Sequence, residues 1–109
     1  MSDDDGPPPE NIPGPSVPAD AISRELLITN KRGLHARASA KFVQAVERFP
    51  GAEVWVTRGS ETVGGRSIMG LMMLGAAMGD SIIIHCEGPY SEQALQKLVE
   101  LIEDRFGEE

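Results

Sequence analysis

The sequence predicts an α+β fold, an open-faced β-sandwich in which a four-stranded antiparallel sheet carries three helices on one face. Two patterns support this fold. Apolar residues alternate in short stretches, as in strands, and recur every three or four positions in longer ones, as in helices. The elements follow the order βαββαβα. Because strands and helices do not strictly alternate, we expect an antiparallel sheet with one face left partly exposed.

The first strand and the first helix are predicted from apolar spacing. Glu25–Asn30 is predicted as a strand with Leu26 and Ile28 on one face. Ala36–Phe49 is predicted as a helix, because its apolar residues recur at helical spacing and a proline-glycine pair follows it.

A hairpin is predicted next. Ala52–Arg58 alternates, with Val54 and Val56 on one face and Trp55 on the other. A glycine-serine turn then leads into a short strand at Glu61–Gly65.

The last three elements are a short helix, a strand and a longer helix. Ser67–Leu74 is predicted as a helix with Ser67 as its N-cap, and Asp80–Glu87 is the strongest strand candidate. Ser91 is predicted to cap a final helix that runs to Arg105 or Phe106. Its buried stripe comprises Ala94, Leu95, Leu98, Val99, Ile102 and Phe106.

Both ends of the chain are predicted to lie outside the core. Residues 1–22 form a predicted disordered acidic tail, rich in proline, and residues 23–109 form the folded domain. The first 20 residues hold six of the eight prolines and five of the 17 acidic residues, with no lysine or arginine. Glu108 and Glu109 are predicted as a solvated terminus.

Composition limits the possible partners and compartments. The formal net charge is −7, which argues against nucleic acid as the main partner. Cys86 is the only cysteine, so no internal disulfide forms, and a cytoplasmic, reducing location is expected. No signal peptide is predicted, and no apolar run is long enough to insert into a membrane. We expect a monomer that needs no cofactor.

A basic segment containing one histidine is the main functional candidate. His35 directly precedes the predicted helix start, and Arg37 follows two residues later. No acidic residue occurs between Glu25 and Glu47. A helix start offers unpaired backbone N–H groups and the positive end of the helix dipole, which favour an anion. A histidine at such a helix start can accept a phosphoryl group, but a plain surface histidine that binds nothing fits the same pattern.

Two other sequence features could suggest a metal site or a nucleotide-binding loop, but neither fits. His85 and Cys86 are neighbours on a predicted strand, so their side chains point to opposite faces and cannot share a metal ion. Gly64 and Gly65 lack the lysine and the helix of a nucleotide-binding loop, and are predicted as a turn or bulge. We predict no metal site.

Several stretches together resemble the HPr family, the phosphocarriers of the phosphoenolpyruvate-dependent phosphotransferase system, and its nitrogen-related paralogue NPr. The resemblance covers about residues 24–105 in the predicted element order. It is carried by GLHAR at 33–37, the helix containing Phe42 and Val43, GRSIM at 65–69, Leu74-Gly75 and Gly79-Asp80.

The resemblance implies a function and a site. His35 is expected to accept a phosphoryl group on its pros nitrogen, Nδ1, from enzyme I and to pass it to an enzyme IIA-type acceptor of a sugar or nitrogen-related system. The backbone N–H groups of Ala36 and Arg37 would face the phosphate, and the Arg37 guanidinium would stabilise it. Such a carrier has no independent turnover.

One departure from the family concerns the start of the helix. The family usually has proline after this arginine, where this chain has Ala38. Proline in the first turn fixes φ without losing a helical hydrogen bond, so alanine is expected to loosen the helix start but to remove no phosphate ligand.

The resemblance also implies a regulatory role and a docking role for the short predicted helix. Ser67 aligns with the serine that HPr kinase/phosphorylase modifies in some relatives, although a plain N-cap serine fits equally. Ile68, Met69 and Met72 are expected to form a docking patch, while Leu71 and Leu74 face the core. A second possible function is therefore an interaction module that binds partners through the Ile68–Met72 helix, with His35 incidental.

Overall fold

A computed structural model describes residues 16–108, so most of the predicted disordered tail, residues 1–15, lies outside the described residues, as does Glu109. The predicted order βαββαβα is confirmed. The strands are β1 (Ile22–Leu27), β2 (Glu53–Arg58), β3 (Glu61–Gly64) and β4 (Ser81–Glu87). The helices are α1 (Ala36–Glu47), α2 (Ile68–Met73) and α3 (Ser91–Glu103), and a 3₁₀ turn follows at Arg105–Gly107.

The four strands form one antiparallel sheet in the order β1-β4-β2-β3. Ile84 of β4 lies opposite Arg24 on one side and Val56 on the other. Val56 and Ile84 are fully buried, whereas Trp55 and His85, which pair across the adjacent positions, are only partly buried. The alternation therefore separates a covered face from an open face, as predicted.

The core lies between the covered face of the sheet and the helices. Helix α1 contributes Phe42 and Val46, α2 contributes Leu71, and α3 contributes Leu98 and Ile102, all at most 1% exposed. These side chains form one continuous cluster with the inward residues of β2 and β4. Across residues 16–108, no helix combines the length and apolar character needed to cross a membrane.

The first strand and the first helix differ from their predicted limits. Strand β1 begins at Ile22, the last residue assigned to the tail, and ends at Leu27 instead of Asn30. The ladder to β4 stops there, since Ile28 bonds instead with the loop before β4. Helix α1 ends at Glu47 instead of Phe49, because the Phe49 N–H donates to the Val46 carbonyl, three residues back. The limits of β2, β3 and β4 shift by one residue at one end, and α2 is shorter than predicted by one residue at each end.

The last helix differs from its prediction at both ends. Ser91 is its first helical residue and not its cap, which is Tyr90 with φ +62° and no side-chain hydrogen bond. The helix ends at Glu103, because Arg105 and Phe106 take left-handed φ values of +56° and +55°. Phe106 is buried in the core as expected, but from this turn and not from the helix stripe.

Candidate functional site

His35 is the N-cap of helix α1. Its backbone is extended, with φ −73° and ψ −178°, and its side chain performs the role that serine or aspartate usually has at this position. The backbone N–H of Arg37 donates to His35 Nδ1 at 3.3 Å, and the N–H of Ser39 donates to the His35 carbonyl at 2.9 Å. The His35 side chain is 22% exposed, so solvent and partners reach it.

The loop before His35 is held against the loop that follows α2. The Leu34 N–H donates to the Ala76 carbonyl at 3.0 Å, and the Ser39 hydroxyl donates to the Leu34 carbonyl at 3.1 Å. Gly33 has φ +64°, and a Cβ there would lie 2.2 Å from the Ala76 oxygen. Glycine is therefore required at this close approach, which fixes the position from which His35 enters the helix.

The basic segment predicted around His35 holds four cations, Lys31, Arg32, Arg37 and Lys41, which do not act alike. Lys31, Arg32 and Arg37 are exposed. Lys41 is partly buried, and its ammonium group donates to the Phe106 carbonyl at 2.6 Å. Three of the four cations thus remain at the surface, where their charge adds to that of the helix start and favours an anion.

Glu108 is a site residue that the sequence analysis missed. Its carboxylate approaches His35 Nε2 at 2.5 Å, and its other oxygen accepts a hydrogen bond from the Asn30 side-chain amide at 3.1 Å. The Glu108 side chain is only 21% exposed, so the prediction of a solvated terminus is wrong here. No local signal pointed to it, because 73 residues separate the two partners.

The charge of Glu108 is stabilised by its neighbours. Partial burial raises the pKa of Glu108, but hydrogen bonds from His35 and Asn30, the charge that His35 carries when protonated, and the charge of Lys41 outweigh that effect. Its pKa is lowered overall, so Glu108 is a carboxylate at neutral pH. The His35 ring therefore lies between an N–H donor at Nδ1 and a negative acceptor at Nε2.

The residues predicted on the short helix lie where the sequence placed them. Ser67 is exposed and caps α2, its hydroxyl accepting from the Gly70 N–H at 2.9 Å. The side chains of the predicted docking patch are exposed by 41–68%, for Ile68, Met69 and Met72. Leu71 and Leu74 are buried as predicted. Met73, which the sequence analysis left unassigned, is 74% exposed and widens the apolar surface.

His85 and Cys86 point to opposite faces of β4, as predicted. The ring nitrogens of His85 bond to the hydroxyls of Ser23 at 2.7 Å and Thr57 at 2.9 Å, and burial lowers the pKa of this histidine. Cys86 is fully buried, which raises the pKa of its thiol to about 11. Within residues 16–108, no three side chains of the metal-binding types cluster together.

Comparison with known proteins identifies the family. Residues 22–104 match the model of the PTS HPr component phosphorylation site. The chain is 51% identical over 85 residues to the phosphocarrier protein HPr of Pseudomonas aeruginosa, covering 77% of this chain and 93% of the relative. It is 47% identical over 87 residues to HPr of Neisseria meningitidis, covering 80% and 97%.

The chain belongs to the HPr family. Among solved structures, HPr-C-His from Thermoanaerobacter tengcongensis superposes with a TM-score of 0.77 at 42% identity, covering 81% of this chain and 98% of that one. The HPr-like fold is thereby confirmed. Membership of this family supports a phosphocarrier role in the phosphotransferase system, with partners drawn from that system.

Proposed function

We propose that His35 carries a phosphoryl group on Nδ1, accepts it from enzyme I, and passes it to an enzyme IIA-type acceptor of a sugar or nitrogen-related phosphotransferase system. The observation that carries this proposal is the contact between Nδ1 and the Arg37 N–H, which directs the lone pair of that nitrogen to the start of α1.

The surroundings of Nδ1 suit a group that must be held and then released. The first N–H groups of a helix have no backbone partner within the helix, so that of Ala36 is available to a phosphate oxygen. The Arg37 N–H donates to Nδ1 in the unmodified chain and is released to a phosphate oxygen once the Nδ1 lone pair bonds to phosphorus. The Arg37 side chain is exposed on the same turn and offers a second, charge-assisted contact. Because the ring is partly exposed, donor and acceptor proteins reach the same nitrogen in turn.

The test of the acceptor uses both histidines of the chain. Incubation with phosphoenolpyruvate and enzyme I is expected to add one acid-labile phosphate, measured by mass spectrometry. His35→Ala should abolish the gain, and the matched control His85→Ala should retain it, since His85 lies on the sheet. Labelling of His35→Ala, or an unlabelled wild-type chain, would disprove the assignment.

The role of Arg37 has its own matched control. Arg37→Ala is expected to slow phosphoryl acceptance by roughly tenfold, the size of one charge-assisted hydrogen bond. Arg32→Ala removes an exposed arginine from the same basic segment but outside the helix, and should have a much smaller effect. Equal rates for both variants would mean that only overall charge matters. Stopped-flow or quenched-flow kinetics with enzyme I give the comparison.

The exposed residues of α2 support a docking role for Ile68, Met69 and Met72, because methionine adapts to different partner surfaces. Met69 is 68% exposed. Met69→Asp should therefore weaken binding to enzyme I without unfolding the domain. Unchanged affinity by titration calorimetry would remove Met69 from the interface.

Ser67 is proposed as a regulatory phosphorylation site for an HPr kinase/phosphorylase. Its exposed hydroxyl is accessible to a kinase, and a phosphate there would add negative charge beside the docking residues. Incubation with ATP and such a kinase should label the chain but not Ser67→Ala. If both chains remain unlabelled, Ser67 is only the cap of α2.

The second candidate function is a partner-binding module that uses the Ile68–Met72 helix without phosphoryl transfer. It is favoured by the exposure of the α2 methionines, which continues through Met73. The two functions differ in one result. A pure binding module would take no acid-labile label on His35, whereas a phosphocarrier would.

A further inference from the structure

Two contacts on the His35 ring specify which nitrogen carries the proton. Glu108 is a carboxylate and accepts hydrogen bonds only, so Nε2 must donate to it across 2.5 Å. The Arg37 N–H only donates, so Nδ1 must accept, at 3.3 Å. Both contacts require the same tautomer, with the proton on Nε2 and the lone pair on Nδ1.

The geometry points to Glu108 as a positioning residue that keeps His35 in the tautomer and orientation needed for phosphoryl acceptance on Nδ1. This inference rests on the proposed function of His35. Glu108 reaches the site only because the end of the chain folds back, and it acts on Nδ1 from the opposite side of the ring.

The turn that carries Glu108 is held by several independent contacts. Arg105, Phe106 and Gly107 all have positive φ, so the backbone reverses after α3 and brings Glu108 toward α1. Phe106 is 1% exposed, which anchors this turn in the core. Lys41 of α1 donates to the Phe106 carbonyl at 2.6 Å.

Asn30 orients the Glu108 carboxylate. Its buried side-chain amide donates both to Glu108 at 3.1 Å and to the Gly33 carbonyl at 2.9 Å, two residues before His35. Its amide oxygen has no hydrogen-bond partner among residues 16–108. Leaving a buried oxygen unpaired is unfavourable. The two donated bonds outweigh this cost and therefore determine the orientation of the side chain.

The proposed step balances around this arrangement. The Nδ1 lone pair forms a bond to phosphorus while the bond between phosphorus and the donor atom breaks, and that electron pair stays with the donor. Nε2 keeps its proton, so the phosphorylated ring is cationic and faces the Glu108 carboxylate. In onward transfer the P–N bond breaks, its electron pair returns to Nδ1, and a neutral imidazole leaves. A ring that lost the Nε2 proton would have to leave as an anion, which is a poor leaving group.

The experiment compares Glu108→Ala and Glu108→Gln with Glu103→Gln in the full chain. Glu103 is a matched control because it lies at the end of α3, where its only ion pair within residues 16–108 is with Arg24 at 3.9 Å. Long-range ¹H–¹⁵N NMR of the neutral ring reports the tautomer. Rates of acceptance from enzyme I, together with rates of transfer onward, report the function.

We expect the wild-type chain and Glu103→Gln to show the Nε2–H tautomer and equal rates. Glu108→Ala should show a mixture of tautomers and acceptance slowed about tenfold, which corresponds to about 1.4 kcal/mol at 25 °C. Glu108→Gln should fall between them, because its amide oxygen still accepts from Nε2 but its amide NH₂ also donates to the alternative tautomer.

The possible failures are distinguishable. If Glu108→Ala keeps the wild-type tautomer and rate, the positioning role is wrong while the carrier function stands. If the rate falls without a change in tautomer, Glu108 acts through partner docking and the inference is also wrong. If the wild-type chain takes no label on His35, the proposed function fails first, and the positioning role for transfer fails with it.

Discussion

The close approach at Gly33 predicts a large and specific loss of stability when a methyl group is added. Gly33 has φ +64°, and a Cβ there would lie 2.2 Å from the Ala76 oxygen and 2.8 Å from Ala77 Cα. Left-handed backbone costs a non-glycine residue about 1–2 kcal/mol, and overpacking against backbone adds about 1–3 kcal/mol. Gly33→Ala should therefore lower the free energy of unfolding by about 2–5 kcal/mol.

Gly59 separates the two contributions. It has φ +60° in the β2–β3 turn, but a Cβ there would have nothing within 4 Å. Gly59→Ala should therefore cost only the backbone term, about 1–2 kcal/mol. With a urea m-value of about 2 kcal/mol/M, the midpoints should fall by about 0.5–1 M for Gly59→Ala and about 1–2.5 M for Gly33→Ala.

The assay is equilibrium urea unfolding followed by circular dichroism, with phosphoryl acceptance measured on the folded variants. Gly33→Ala should also slow acceptance, because the displaced loop carries His35, whereas Gly59→Ala should not. If both variants lose the same stability, the Gly33 loop moves away from Ala76 at little cost. This contact would then not be what fixes the position of His35.

Three further changes test the surroundings of the site. The pKa of Glu108 in the folded chain lies below its usual value of 4.5, so its charge stabilises the fold above pH 4.5. This stabilisation is lost as the pH falls through the folded pKa. The difference in unfolding free energy between wild type and Glu108→Gln should therefore vanish in acid. Lys41→Met should cost about 0.5–1.5 kcal/mol by removing the bond to the Phe106 carbonyl, and should raise the pKa of Glu108, measured by carboxyl ¹³C NMR. Ala38→Pro should stabilise the chain by about 0.4–1 kcal/mol through its fixed φ in the first turn of α1; a lower melting temperature would show that this fully buried position has no room for the ring.

The fold was predictable because its main signals are local. Apolar spacing marks the core face of each element, and the buried residues of α1, β2 and β4 follow that spacing. The limits of β1 were not predictable from it, since a strand is defined by its partner. Ser23 and Arg24 pair with His85 and Ile84 although both are polar and exposed.

The site was predictable in the part that is contiguous in sequence. His35, Arg37 and the start of α1 lie within a few residues, so local spacing sufficed to place them together at a helix start. Their role came from the resemblance to the HPr family and stays a prediction. The end of the chain was not predictable, because two non-glycine residues adopt left-handed backbone after α3 and no propensity announces this. Burial of Phe106 and the Lys41 contact to its carbonyl, which are tertiary interactions, help to hold that turn.

A phosphocarrier must both accept and release a phosphoryl group. In the proposed mechanism, the Nδ1 side of the His35 ring serves acceptance and the Nε2 side serves release. On the Nδ1 side, the Arg37 N–H and the exposed cations favour a phosphate. On the Nε2 side, the Glu108 carboxylate lies 2.5 Å away and, in the proposed tautomer, accepts a hydrogen bond from Nε2. A deep pocket lined with cations would hold phosphate more firmly but would oppose onward transfer. In the proposed mechanism, the partly exposed ring between a donor and a carboxylate would instead keep the P–N bond accessible and its leaving group neutral.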